Sequence, residues 1–131
     1  MESNALTAIS PIDGRYQKQV HHLGEYFSEY ALMKYRVLVE VEYYLFLANR
    51  KFFSVPAKAA RQLREIAAGF SLADAQEIKA TERITNHDVK AVEYFIKSKL
   101  DALGLDQEKE WVHFGLTSQD VNNTAIPLLW K

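Results

Sequence analysis

The sequence predicts an all-α domain of five or six helices. Three observations carry that prediction. From Leu23 onward, apolar side chains recur at spacings of three and four with charges between them, which is the period of a helix. No run of alternating apolar and polar residues competes as a strand. The breaks between periodic segments carry helix punctuation: Pro56, Ser71 with Asp74, Gly104, and Thr117 with Asp120. With 131 residues, a single domain over 1–131 is the natural reading. A chain of this size buries roughly two thirds of the surface that it exposes when unfolded.

Residues 1–22 read as irregular, with turn signals at Ser10-Pro11 and Asp13-Gly14. One helix is expected from Leu23 to about Lys51, carrying Tyr26, Phe27, Tyr30, Leu32, Met33, Val37, Val41, Tyr44, Leu45 and Ala48. Its bulky groups lie on more than one side, which predicts more than one packing neighbour. Pro56 suits the first turn of the next helix, which ends near Gly69 and offers a narrow face of Ala59, Ala60, Leu63, Ile66 and Ala67. Ser71 and Asp74 have capping-box spacing, with Asp in place of Glu, and open a helix through Leu72, Ala75 and Ile78. After Thr85–Asp88 comes a helix with Val89, Val92, Ile96, Leu100 and Leu103, closed by Gly104. Asp106 is placed to cap a short helix through Trp111, and a last helix should start near Ser118 and run to the end. Pro127 either kinks that helix, freeing the carbonyl of Asn123, or starts a new one. Ile126, Leu128, Leu129 and Trp130 end the chain without a stop signal, so the helix is expected to continue in a longer natural chain.

Composition narrows the function. There is no cysteine, so disulfides and thiolate metal sites are out, in keeping with a reducing compartment. A net charge of −1 with no block of Lys or Arg argues against nucleic-acid or membrane surfaces. The N-terminus lacks the basic and apolar regions of a secretory signal. The most apolar run, Val37 to Ala48, is interrupted by Glu40 and Glu42 and is too short to span a bilayer. His21-His22 lack spaced partners for a closed metal site, and no His-Glu-x-x-His, phosphate-loop, dinucleotide or Gly-x-Ser-x-Gly pattern occurs.

Three polar clusters remain. Asp13-Gly14-Arg15-Tyr16 is either a turn with an exposed arginine or a phosphate clamp, in which Arg15 offers a planar fork, Tyr16 a hydroxyl, and Gly14 room for close approach. Thr85-Asn86-His87-Asp88 is plainly a helix start, with Thr85 or Asn86 as the cap and Asp88 at the positive end of the dipole. That reading leaves His87 unexplained, because its cation is disfavoured beside free N–H groups. A neutral His87 next to Asp88 could instead donate to a ligand oxygen or move a proton. Asp88, four residues before Val92, opens the buried stripe of its helix and needs a partner. In the third cluster, Trp111 to Asp120, Thr117 and Asp120 have capping-box spacing and Gly115 permits an unusual backbone angle. The hydroxyls of Thr117 and Ser118, with the free N–H groups of the new helix, could hold a carboxylate. His113 is either a satisfied core histidine between Trp111 and Phe114 or part of a site, with Gln119 a further candidate.

In this order and at these spacings the clusters resemble the N-terminal domain of the adenylosuccinate lyase family, within the fumarase/aspartase superfamily. The likeness runs through Leu6 to Tyr16, Phe27-Ser28-Glu29-Tyr30, Thr85 to Phe95 and His113 to Asn123, and so covers essentially the whole chain. Asp13-Gly14-Arg15-Tyr16 and Asn86-His87-Asp88-Val89-Lys90-Ala91-Val92-Glu93-Tyr94-Phe95 favour this family over fumarase, aspartase or argininosuccinate lyase. The resemblance implies a small helical domain that precedes a long helical bundle, in a cytoplasmic homotetramer of purine biosynthesis. It also implies β-elimination of fumarate from adenylosuccinate and from the succinyl-carboxamide ribotide, without metal or organic cofactor. On it, Arg15 and Tyr16 bind the nucleotide phosphate. Asn86, His87 and Asp88 line the substrate site, with His87 in a supporting catalytic role. Thr117 and Ser118 contact substrate, and His113 lies nearby.

One departure matters. The family's general acid histidine sits in a Thr-His-Gly-Gln-like motif and its general base serine in a Ser-Ser-x-Met-Pro-x-Lys-x-Asn loop, and neither motif is in this sequence. The chain is therefore expected to carry binding and supporting residues and to be inactive alone. A sibling fumarate-releasing lyase and a helical scaffold module, whose clusters only cap helices, are the competing readings.

Overall fold

A computed structural model describes residues 4–131. Among these there is no strand, and five helices of twelve residues or more make up the body. Two single-turn helices come first, α1 (Gln17–Val20) and α2 (Gly24–Phe27), joined by a 3₁₀ turn at His21–Leu23. The larger helices are α3 (Glu29–Asn49), α4 (Ala57–Ala68), α5 (Leu72–Thr85), α6 (Asp88–Ala102) and α7 (Ser118–Leu129). No helix of the described residues is long and apolar enough to cross a membrane.

α3 is the axis of the molecule and packs against α2, α4, α5, α6 and α7. Its buried residues, from Ala31 and Met33 through Val37, Val41, Tyr44, Leu45 and Leu47, point to several sides, as the spread of bulky groups predicts. α4 is the opposite case, a surface helix that buries only Ala59, Leu63 and Ala67 along one stripe. α6 brings Val89, Ala91, Val92, Phe95, Ile96 and Leu100 into the same core. α7 buries just Val121 and Ala125, one turn apart, against α3.

Helix ends follow the punctuation, with several corrections. Ser71 and Thr117 each form a complete capping box with Asp74 and Asp120. Gly104, at φ 77°, closes α6 in a Schellman motif: Leu105 N–H donates to Leu100 C=O, Gly104 N–H donates to Asp101 C=O, and Leu100 and Leu105 are both buried. The expected helix from Leu23 is broken at Ser28, whose hydroxyl accepts from Ala31 N–H and caps α3. Apolar periodicity runs across that break because α2 and α3 pack on each other. The stretch read as irregular already contains α1 and the 3₁₀ turn. Pro56 is the cap residue of α4 and lies just outside it. Asp106 opens no α-helix: turns lead to a 3₁₀ turn at Lys109–Trp111. Pro127 lies inside α7, which ends two residues later at Leu129.

Candidate functional site

Three polar side chains sit on one face of α3 at positions 36, 40 and 43, the i, i+4, i+7 spacing of a helical stripe. Arg36 is buried. Its Nη2 reaches Asp88 Oδ2 at 2.9 Å and its Nε donates to Asn122 Oδ1 at 2.9 Å. One turn on, Glu40 is fully buried and its Oε1 pairs with His113 Nδ1. Tyr43 then donates its hydroxyl to the carbonyl of Phe114 at 2.7 Å. This seam joins the second and third clusters, which the sequence separates by some two dozen residues.

The second cluster is a junction between two helices. Thr85 is the last residue of α5, and Asn86 follows in the left-handed region at φ 53°, which asparagine tolerates. The cap of α6 is therefore neither Thr85 nor Asn86 but His87, whose Nδ1 accepts from Lys90 N–H at 3.1 Å. The capping reading thus does account for His87, against expectation. It also sets its tautomer. An Nδ1 lone pair that accepts from backbone places the proton of the neutral ring on Nε2, which has no partner among the described residues. Asp88 finds the partner it needed in Arg36, and Val89 N–H donates to its Oδ1 at 2.9 Å. Partial burial pushes the Asp88 carboxyl up, but the Arg36 charge and the Val89 N–H outweigh it and hold it below the ordinary value.

The third cluster is anchored by aromatics. Trp111 stacks on Phe53 with centroids 5.4 Å apart and meets Phe114 edge-on at 4.7 Å. His113, between them, has φ 64°, and Gly115 has φ 73°, the unusual angle expected of that glycine. A left-handed backbone at a residue other than glycine costs on the order of 1 kcal/mol or more and persists where neighbours enforce it. Glu40 and Tyr43 are those neighbours. At the start of α7, the Thr117 hydroxyl is engaged by Asp120 on both sides, accepting from its N–H and donating to Oδ2. The Asp120 carboxyl is lowered by the N–H and hydroxyl of Thr117. The Ser118 hydroxyl and the N–H groups of Ser118 and Gln119 have no partner among the described residues, while the Gln119 amide donates to Asn123.

The first cluster stands apart. Arg15 lies over the Tyr16 ring, 5.3 Å from its centroid, and both are exposed. Gly14 does allow close approach, but the approaching group is the carbonyl of Ala5, which a side chain there would strike. No hydrogen bond, ion pair or ring contact among the described residues joins Arg15 or Tyr16 to the other two clusters. The same residues contain no group of three His, Asp or Glu side chains gathered as metal ligands.

Arg36, Glu40, Tyr43 and Asn122 are the residues that sequence reasoning did not single out. A signal for Glu40 was present, since it interrupts the most apolar run of the chain. Its burial pushes the carboxyl up from the ordinary value, with His113 opposing that and the charge of Glu93 adding to it.

Known proteins are similar to this chain. The chain is similar to adenylosuccinate lyase of Dictyostelium discoideum, 54% identical over 136 residues that cover 98% of this chain and 29% of that protein. It is 48% identical to adenylosuccinate lyases of Vibrio cholerae and of Escherichia coli K12, in each case over 100% of this chain and 30% of the relative. The chain thus spans about 30% of the length of the curated relatives it matches. A family model described as lyase matches residues 14–131. With that match over nearly its whole length, the chain belongs to this lyase family.

Proposed function

We propose that this chain forms a substrate-binding wall of an adenylosuccinate lyase, which splits adenylosuccinate into AMP and fumarate and cleaves the succinyl-carboxamide ribotide in the same way. The observation that supports this most is a set of polar groups without partners among the described residues, on two turns tied to α3: Nε2 of His87 and the Asn86 amide on one, the Ser118 hydroxyl with the N–H groups of Ser118 and Gln119 on the other. The names of the relatives supply the substrate.

In this reading the succinyl group brings carboxylates, for which the start of α7 offers N–H groups and a hydroxyl, with Thr117 beside them. The phosphate takes the Arg15 fork and the Tyr16 hydroxyl. Asn86 and the Nε2–H of His87 donate to oxygen atoms near the bond that breaks, while Asp88 keeps Arg36, and with it α7, in place. In β-elimination a base removes a proton from the carbon beside a carboxylate, the C–N bond breaks, and the leaving nitrogen gains a proton. The sequence lacks the family's motifs for both transfers, so this chain binds and positions, and other segments move those protons.

The test uses the intact protein that carries this chain, with fumarate release as the readout. Arg15→Ala should raise KM with little change in kcat, the mark of uniform binding. His87→Ala should lower kcat strongly. Near-normal kinetics in both would sink the site assignment, and fumarate released by the 131-residue chain alone would overturn its inactivity. The same proposal carries a place in purine biosynthesis in the cytoplasm and a homotetramer. A monomer or dimer in sedimentation of the intact protein would remove the tetramer.

A further inference from the structure

Glu40 is a group that the fold has little reason to keep. It is fully buried in the middle of α3, and its Oε2 has no hydrogen-bond partner among the described residues. Its Oε1 pairs with His113 Nδ1, 73 residues away. Burying a carboxyl with half its capacity unmet is unfavourable, and an apolar side chain of similar size would serve the core better. What Glu40 does achieve is local. It holds the ring of a histidine whose backbone is in the left-handed region and whose side chain is 18% exposed, enough to open Nε2 to a ligand. That Nε2 has no partner among the described residues.

We infer that Glu40 is a positioning residue, which keeps the His113 proton on Nδ1 so that His113 presents an Nε2 lone pair to the substrate, opposite in character to the Nε2–H of His87. The inference rests on the proposed function for the substrate, but its geometry stands alone. An ionised carboxylate only accepts, so beside the Glu40 carboxylate the shared proton sits on the ring nitrogen. The backbone of Lys90 takes the Nδ1 lone pair of His87, and the carboxylate of Glu40 takes the Nδ1 proton of His113. The two rings therefore meet a ligand with opposite hydrogen-bonding roles, a donor and an acceptor, although their residue type is the same. Arg36 and Glu40 are one turn apart on α3, so one helix anchors the turn that carries His87, through Asp88, and the ring of His113 directly. The charged groups that face the pair are Glu93 on α6, with its lysine partners Lys90 and Lys97, and Asp120 on α7, while Arg36 and Tyr44 lie one turn to either side of Glu40 on α3.

The experiment is ring ¹⁵N spectroscopy on the intact protein, wild type and Glu40→Gln, with the His113 signals assigned through His113→Gln. The wild-type ring should carry its proton on Nδ1. In Glu40→Gln the neutral ring should move toward the Nε2–H form that free histidine prefers, while folding and melting temperature are kept. Fumarate release should then fall through kcat by roughly 10²-fold, with KM nearly unchanged. Glu40→Asp should recover part of the rate, which a purely structural role does not predict. A wild-type proton on Nε2 overturns the inference, and that measurement needs no variant to fold. An unchanged spectrum and rate in Glu40→Gln overturns it as well. If the intact wild type releases no fumarate from either succinyl nucleotide, the proposed function falls by itself, and the tautomer measured in the same sample still decides the role of Glu40.

Discussion

The turn around His87 and the turn around His113 are two solutions to one problem, holding an imidazole still. His87 is held from within its own turn. Its partner is a backbone N–H three residues on, its side chain is 53% exposed, and its neighbours Asn86 and Asp88 are residues that favour helix junctions. His113 is held from far away, by a buried glutamate on another helix and by Tyr43, which grips the next carbonyl. A local hold depends on few residues and leaves its ring half exposed to solvent. A distant hold fixes the ring firmly, but it needs the core to be packed first.

Five substitutions would break or sharpen that contrast. The largest effect is expected from His87→Asn in the intact protein. Asparagine keeps the cap but removes Nε2–H, so kcat should fall by about 10³-fold while stability changes by less than about 0.5 kcal/mol. Equal loss of both would mean that His87 is only a cap. Next comes Arg36→Met, which strands Asp88 and Asn122 together. Urea denaturation should show a loss of about 2 kcal/mol, less than for a fully buried pair because the Asp88 side chain is 49% exposed. No loss would mean that the seam does not join the two turns. Tyr43→Phe should then cost about 1 kcal/mol, and it should loosen the His113 turn without touching the His87 turn, as amide exchange at Phe114 and Lys90 can tell.

The smallest effect is in pH dependence, and its sign differs between the two turns. Asp88 is lowered below its ordinary 3.8, so its contribution is full above that value and is lost as pH falls through the lowered folded value. Glu40 is raised above 4.5, so its contribution is present below that value and is lost as pH rises through the raised folded value. Asp88→Asn should flatten the acid side of the stability curve and Glu40→Gln the side toward neutrality. The same flattening from both would erase the distinction.

Much of the scaffold was readable because helix signals are local. Ser71 with Asp74, Thr117 with Asp120, and Gly104 act within one turn of themselves: the first two open their helices and the last closes one, as their chemistry demands. Ser28 was missed because apolar residues continue across it, and periodicity alone does not register one extended residue. The cap of α6 was misplaced by one or two residues because Thr, Asn and His in a row all offer acceptors, and only the left-handed turn at Asn86 selects His87.

By itself, the sequence determined the all-helical character, most helix ends and the three polar clusters, since each follows from residues within a few positions of one another. Only the tertiary structure decided how the last two clusters meet. Arg36 and Glu40 look like ordinary charges inside an apolar stretch until α6 and α7 pack on α3 and bring Asp88, Asn122 and His113 to them. A buried charge takes its role from its partner, and that partner lies more than fifty residues away, where no local pattern reaches.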